Sequence, residues 1–418
     1  MESSMSAAVI WSEDFLSYRW AHSHPMNPVR LALTMSLARS LGVLDDVDLA
    51  DPLQIDDDAL IPVHSRDYID AVRAVGSGTA SLSGPLLARL FGLGDADNPV
   101  FDGMHEAARL LVGGTLAAAQ AVASGSVRRA VNIGGGMHHA MRSRAAGFCI
   151  YNDCSVAIRW LLDHGYDRIA YIDIDAHHGD GVQAEFVADP RVMTISLHQH
   201  PATLWPGTGW PTEIGEEDAH GTAVNLPFMP NTPDRLWLRG FHAVVPSMIA
   251  EFAPQILISQ CGADSHRADP LTDLALTVDG QRAAMIAMRD LAEKYCEGRW
   301  IAVGGGGYGV VNVVPRSWTH LLGVVLDRDI PVETTIGEQW CETATEVAGT
   351  IYSEYSAAPV GTMSDDGDVG YVAWDGDTGQ EAPPGIDESA LRQTDRAIMA
   401  TRKAVFPLHG LDPEDPRD

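Results

Sequence analysis

Asp173, Asp175 and His177 stand at alternate positions in the run RIAYIDIDAHHGD. A strand repeats its side-chain direction every two residues, so an extended backbone would put all three on one face. Such a face offers carboxylate oxygens and an imidazole nitrogen together. Zinc accepts that donor mixture, and ferrous iron accepts it too; a catalytic zinc site keeps three protein ligands and one open position for water. Asp264, which closes QILISQCGAD, is the natural third ligand beside Asp175 and His177. A DxDxHH string taken alone favours the metal reading, with a hydrogen-bonded loop as the alternative. His138 and His139 follow a glycine run in GGGMHHA, where absent side chains allow a substrate close to the backbone. Neighbouring imidazoles suit proton transfer near neutral pH. Tyr308 follows four glycines, Gly304 to Gly307, and its phenol could donate to a developing oxyanion. Those glycines do not read as a phosphate cradle, because no lysine follows in the required place and no GxGxxG opens a helix there.

Distant groups like these need a scaffold that brings them together. Short apolar runs, each ending in polar or glycine-rich punctuation, recur along the chain: AVNIGGGMHHA, RIAYIDIDAHHGD, VMTISLHQH, QILISQCGAD and WIAVGGGGYG. Three- and four-residue apolar spacing predicts helices over 28–41 and 105–123, and helical stretches over 154–164 and 232–252 alternate with the strands. Continuous apolar strands separated by helices indicate parallel βα units with both sheet faces covered. In such sheets ligands bind beyond the carboxyl ends of the strands. His138 and His139, Asp175 and His177, Asp264, and Tyr308 each follow a different expected strand. After about residue 330 the pattern weakens. Residues 364–388 are rich in Asp, Gly and Pro and read as an acidic surface loop, followed by a helix over 389–404. No boundary splits the core, so residues 1–330 read as one catalytic domain and 331–418 as an acidic, loop-rich extension packed on it.

Composition narrows the partners. Against 28 basic residues stand 57 acidic ones, a net charge of −29, which repels nucleic acid and anionic lipid and favours cationic ligands. Hydrophobic content of 45% with 20% charged residues describes a folded chain. Five cysteines without a CxxC pair fit neither a disulfide framework nor a thiolate zinc site. With no signal-like N-terminus and no membrane-length apolar run, the expectation is a soluble cytoplasmic protein without a membrane partner.

Taken together, HPMNPVR, IPVHSRDYI, NIGGGMHHA, GFCIYND, IDIDAHHGDGVQ, VMTISLHQ, PGTG, GADSHRADPL and GGGGYG resemble the histone deacetylase superfamily, and within it the bacterial acetoin-utilisation deacetylases. Order and spacing both match from about His24 to Leu326. The resemblance implies an arginase-like α/β fold of three layers, a mainly parallel central sheet with helices on both faces. It implies zinc on Asp175, His177 and Asp264, with His139 as general base and then acid beside Asp180. His138 would add electrostatic stabilisation, oriented by Asp173, and Tyr308 would polarise an acetyl carbonyl. Gly147, Phe148 and Trp205 match the lining of an acyl-lysine tunnel, Leu271 a wall near its mouth, Asp97 a rim aspartate that grips substrate backbone, and Arg30 an arginine beneath the site. A structural potassium ion would use Asp173, Asp175, His177, Ser196 and Leu197, partly through backbone oxygens.

Two positions depart from that pattern. Met137 stands where many eukaryotic members carry an aromatic residue, and Trp205 replaces a common phenylalanine, so acyl-chain preference is open while the chemistry is untouched. The substrate the resemblance implies is an acetylated protein lysine, such as one on an acyl-CoA synthetase, with a small acetylated amine such as a polyamine as the alternative. A two-manganese guanidino hydrolase is poorly supplied, because Ser265 and His266 follow Asp264 where a second aspartate would be needed. A silent acetyl-lysine binding module would be expected to have lost a ligand or an acid–base group, and none is lost.

Overall fold

The computed structural model describes residues 7–78, 88–376, 381–382 and 384–418. Eight strands form a single sheet: β1 (Ala7–Ile10), β2 (Leu49–Ala50), β3 (Arg129–Asn132), β4 (Ile169–Asp173), β5 (Val192–Gln199), β6 (Ala223–Phe228), β7 (Ile256–Gln260) and β8 (Trp300–Val303). Their order across the sheet is β2-β1-β3-β8-β7-β4-β5-β6, and every pairing is parallel. All strands but the short β2 are buried along their whole length. That is why the central ones read as unbroken apolar runs.

The helices are α1 (Val29–Ser40), α2 (Arg66–Gly76), α3 (Met104–Ala123), α4 (Asp153–Asp163), α5 (Asp180–Phe186), α6 (Asp234–Phe252), α7 (Val278–Tyr295), α8 (Val314–Val325), α9 (Glu338–Ala348) and α10 (Glu388–Val405). They pack in two series, α1, α8, α7, α6 and α10 in one and α2, α3, α4 and α5 in the other. Two such layers are what an all-parallel sheet requires to cover both faces. The helix expected over 232–252 starts at Asp234, because Pro233 is extended (φ −84°, ψ 171°) and serves as its cap. Three strands escaped the sequence reading. β1 and the two-residue β2 lie in the N-terminal part, and β6 contains Pro227, which speaks against a central strand; β6 is in fact an edge strand, where a residue without an N–H is tolerated.

Beyond residue 330, α10 packs on α6 and β6. Between Met363 and α10 no described residue is helical or extended in a sheet, as expected, but the segment is not all surface. The Asp365 side chain is 8% exposed, and Trp374 is buried with the Arg402 guanidinium 4.3 Å above its ring. Arg239 reaches in from α6 to donate to the carbonyls of Val372 and Ala373 at 2.8 and 2.7 Å. Residues 377–380 and 383 of the expected acidic loop lie outside the described residues.

Candidate functional site

Strands β3, β8, β7 and β4 are consecutive neighbours, although the chain visits them far apart. Their carboxyl ends lie level, with Asn132 opposite Val303, Val303 opposite Gln260, and Gln260 opposite Asp173. The four loops that leave this edge carry the histidine pair, Asp175 with His177, Asp264, and Tyr308. Parallel topology is therefore what turns remote motifs into one site.

One sequence expectation fails here. Asp173, Asp175 and His177 do not share a strand face, because β4 stops at Asp173. The Asp173 carboxylate accepts the Asp175 N–H at 3.1 Å, and the Asp175 carboxylate accepts the His177 N–H at 3.0 Å. These successive side-chain turns curl the backbone away from the sheet. Asp173 is left pointing at His138, while Asp175 and His177 turn toward Asp264.

Asp175, His177 and Asp264 then converge, each offering a ligand atom within 4.8 Å of the others. Among the described residues this is the one group of three or more His, Cys, Asp or Glu side chains placed to hold a metal ion. His177 Nδ1 lies 2.9 Å from Asp264 Oδ2 and 3.2 Å from Asp175 Oδ1. Asp175 and Asp264 are buried, and the His177 side chain is 12% exposed. Burial raises the Asp264 pKa and the charge of Asp175 adds to it; Asp175 is held low against its own burial by His138 and His177. Two carboxylates confined this closely need positive charge between them. Glycines make the cradle: a Cβ at Gly262 would fall 2.1 Å from Asp175 Oδ2, and one at Gly306 2.3 Å from Asp264 Oδ2. The donor set and its cradle fit a divalent cation, with two carboxylates and an imidazole.

Around this group stand two histidine–carboxylate pairs. His138 Nδ1 is 2.8 Å from Asp173 Oδ2, which also accepts the Tyr171 hydroxyl at 2.6 Å. His139 Nδ1 is 2.6 Å from Asp180 Oδ1, at the first residue of α5. Burial would lower both histidines. The charges of Asp173 and Asp175 overcome it at His138, which titrates at about 9, whereas burial and the neighbouring His138 hold His139 down at about 4 despite Asp180. The imidazole pair is thereby split into a charged member and a neutral one. The Tyr308 phenol is pushed well above the usual range by burial and by the nearby Asp264 and Asp175. It remains a protonated donor.

Gly147, Phe148 and Trp205 sit beside these groups. The Trp205 ring lies 4.6 Å from His139 and 6.3 Å from His177, and Phe148 meets Tyr308 edge-on at 5.6 Å. Gly147 has a φ of +51°, and a Cβ there would come within 2.4 Å of His139 and 2.8 Å of Trp205. No side chain fits at that point of the wall. Trp205 is 47% exposed. Asp97 is exposed and is linked to Phe148 only through His24: its carbonyl is 3.1 Å from His24 Nε2, and the His24 ring contacts Phe148 at 4.7 Å. Leu271 is half-buried, and its N–H binds Asp269. Arg30 lies beneath, donating to the Gly307 carbonyl at 3.0 Å with its guanidinium 4.9 Å over Trp318. Ser196 is opposite Asp173 in the sheet, with its hydroxyl 2.9 Å from His198 Nδ1, and Leu197 is buried beside it.

Several groups that fix this geometry were not singled out from sequence. Gln260 donates to Asp175 Oδ2 at 2.8 Å and its Oε1 accepts the Gly262 N–H at 2.7 Å. Asp153 accepts the N–H groups of Gly136 and Met137 and the Thr115 hydroxyl, which sets the backbone entering the histidine pair. Asp269 accepts the N–H groups of Tyr308 and Gly309 at 2.7 and 3.3 Å. The signal was present, since each lies in or beside a quoted motif, but a second polar residue in a motif looks like ordinary loop polarity. His266, two residues after Asp264, turns away from the cation group toward Asp365, so it supplies no ligand to a second metal.

A histone deacetylase domain pattern matches residues 24–325. The acetoin utilization protein AcuC of Bacillus subtilis (strain 168) is 43% identical over 328 residues, 78% of this chain and 84% of that protein. The protein of the same description from Staphylococcus aureus (strain MSSA476) is 38% identical over 327 residues, covering 78% and 83%. Among solved structures, an HDAC homolog from Aquifex aeolicus matches with a TM-score of 0.77 at 26% identity, over 94% of this chain and 99% of that one. The domain match, these identities and a group placed to hold a cation at the strand ends agree: the chain belongs to the histone deacetylase family and is similar to its AcuC acetoin utilization proteins.

Proposed function

We propose that this protein is a zinc-dependent deacetylase that removes the acetyl group from N-ε-acetyllysine on proteins. The observation that carries this reading is the buried Asp175–His177–Asp264 group flanked by the His138–Asp173 and His139–Asp180 pairs, with the Tyr308 phenol near its carboxylates. A divalent cation held by those three residues supplies Lewis acidity, lowering the pKa of water and drawing electron density from a carbonyl oxygen. Zinc suits the donor set, and ferrous iron is the alternative. The Asp173, Asp175 and His177 backbone turn with Ser196 and Leu197 is the place for a structural potassium ion.

His139 begins neutral, with Nδ1 occupied by Asp180, which leaves Nε2 to accept the proton of the attacking water. Asp180 then stabilises the imidazolium until the proton passes to the departing amine. His138 stays charged and pairs with Asp173, countering the carboxylates around the reacting carbonyl. Tyr308 donates its hydroxyl hydrogen bond to the tetrahedral oxyanion. Arg30 and Asp269 hold the Gly307 carbonyl and the Tyr308 N–H, so the phenol is delivered by a braced loop. Phe148 and Trp205 flank an acyl-lysine stem, with Gly147 leaving the space between them and Asp97 and Leu271 at the rim. Residues 331–418 pack on this catalytic body as part of the same domain.

The experiment is a comparison of kcat/KM for an acetyllysine peptide and acetylputrescine, made on the zinc-loaded protein. Preference for the peptide is expected, and faster turnover of the polyamine would transfer the assignment to small acetylated amines. His139→Ala should lower kcat by about 10²–10⁴, and Tyr308→Phe by about 10²–10³, both with bound metal retained. Near-normal rates in the two variants would sink the mechanism.

A further inference from the structure

The C-terminal tail meets the body through buried carboxylates, and one of them touches both the loop of Asp264 and the helix that follows the Tyr308 loop. Asp365 Oδ2 lies 2.7 Å from His266 Nε2 and accepts the Val278 N–H at 3.1 Å. Its other oxygen accepts Arg316 Nη1 at 2.7 Å. His266 stands two residues after Asp264. Its Nδ1 accepts the Ala268 N–H at 3.0 Å, and its carbonyl accepts the Asp269 N–H at 2.8 Å. Asp269 in turn binds the N–H groups of Tyr308 and Gly309. Arg316 lies in the first turn of α8, just after the Tyr308 loop, and its Nε donates to the Asn312 carbonyl. The contacts close a ring running from Asp365 through His266 and Asp269 to Tyr308, then through α8 and Arg316 back to Asp365.

The approach of the tail to this ring is itself fixed. Asp279, at the start of α7, accepts the Ser364 hydroxyl at 2.8 Å and the N–H groups of Asp365 and Gly367 at 2.8 and 3.0 Å. Gly367 is seated so closely that a Cβ would fall 2.1 Å from the Thr277 hydroxyl. The side chains of Asp365, Arg316 and His266 are 8%, 2% and 3% exposed. Water therefore cannot stand in for a missing partner, and a guanidinium stripped of its carboxylate there would have to move.

We infer that Asp365 is a positioning residue for the catalytic centre, holding the loop of the ligand Asp264 and the loop of Tyr308 in a fixed mutual geometry. Residue 365 lies beyond the family-matched residues 24–325, so the tail completes a site whose reacting groups all belong to the family domain. The inference rests on the deacetylase reading of that site. Groups that hold metal ligands from behind are worth about 10- to 100-fold in affinity or rate.

The test compares Asp365→Asn with Asp395→Asn. Both remove a buried tail carboxylate from an arginine, and Asp395 pairs with Arg239 between α6 and α10, outside the ring. Thermal unfolding, zinc affinity by competition with a chromophoric chelator, and kcat and KM on an acetyllysine peptide are measured for each full-length chain. Both variants should unfold at lower temperature. Asp365→Asn alone should weaken zinc binding and lower kcat, each about 10-fold or more, with KM little changed. Arg316→Lys, which keeps the charge but loses the planar fork, should shift the same two quantities less and serves if Asp365→Asn does not fold. Equal zinc affinity and kcat in the Asp365 and Asp395 variants, or wild-type values in Arg316→Lys where Asp365→Asn does not fold, would overturn the inference while leaving the deacetylase reading intact. A wild-type chain that binds no zinc would overturn both.

Discussion

At the strand ends, Asp173, Asp175 and Asp264 crowd together on imidazoles, with the Arg30 guanidinium farther beneath Asp175 and Asp264, whereas the tail gives each of its buried carboxylates an arginine in direct contact. Asp365 has Arg316 and Asp395 has Arg239, and the buried Arg402 is satisfied by five carbonyl oxygens, those of Ala243, Asp412, Pro413, Asp415 and Asp418. The tail's carboxylates are compensated by permanently charged guanidiniums in contact with them, whereas the strand-end carboxylates lean on imidazoles that must themselves hold a proton. Uncompensated buried charge costs stability, and it persists where a ligand or reaction supplies the missing partner. The contrast separates a region built to hold from one built to react.

The compensated side should break hardest. Asp395→Ala leaves the Arg239 guanidinium, 1% exposed, buried between α6 and α10 without its partner. A loss of about 3–5 kcal/mol is expected, read from urea unfolding at pH 7, with kcat of the folded fraction unchanged. Replacing both members by apolar residues, Arg239→Met with Asp395→Leu, should recover most of the loss. A single variant as stable as wild type would mean that the tail is not held by its buried ion pairs.

Acid should find the next weakness, through histidines held neutral on both sides of the comparison. Burial lowers His64 and His320 from 6.5 to about 4, overriding the hydrogen bonds each makes. His64 Nε2 accepts the Asn152 N–H in the body, and His320 Nε2 lies 2.7 Å from the Met363 carbonyl in the tail. A folded pKa below the unfolded one means that the unfolded chain takes up the proton first. Their contribution is therefore intact above pH 6.5 and is lost as pH falls toward 4, at up to ~1.4 kcal/mol per pH unit for each. Unfolding free energies at pH 7, 6 and 5 should show this slope, and His320→Gln should reduce it by about one proton's worth. An unchanged slope in that variant would remove His320 from the account.

The two regions also differed in how far the sequence disclosed them. The central strands were legible because burial on both faces leaves unbroken apolar runs, and the site followed from them once each polar motif was placed at a strand end. What the sequence could not show was the path of the backbone within the site. The alternation of Asp173, Asp175 and His177 looked like a strand, and only the Asx turns, which need three-dimensional hydrogen bonding, reveal that it leaves the sheet. Asp269 and Gln260 were hidden because their partners are backbone N–H groups and a carboxylate more than 30 residues away. Asp365 was hidden more deeply, in a segment whose composition speaks for an exposed acidic loop. Local patterning reports which residues face a core, and it carries no record of a buried pair whose members are brought together by the chain's return.

The smallest expected effect is the one with the opposite sign. Asp264→Asn keeps the size and shape of the side chain and removes the carboxylate whose charge burial and the neighbouring Asp175 disfavour. On chelator-treated protein this substitution should raise stability by about 1 kcal/mol, in the manner of other active-site residues whose charge is kept for function. The same substitution should weaken zinc binding and abolish measurable deacetylation. Asp395→Asn, an identical chemical change in the compensated region, should instead lower stability and leave zinc binding alone. Unfolding of both variants with and without zinc reads the comparison directly. A destabilised, metal-stripped Asp264→Asn would show that the strand-end carboxylates are as well satisfied as those of the tail, and the distinction between the two regions would fall.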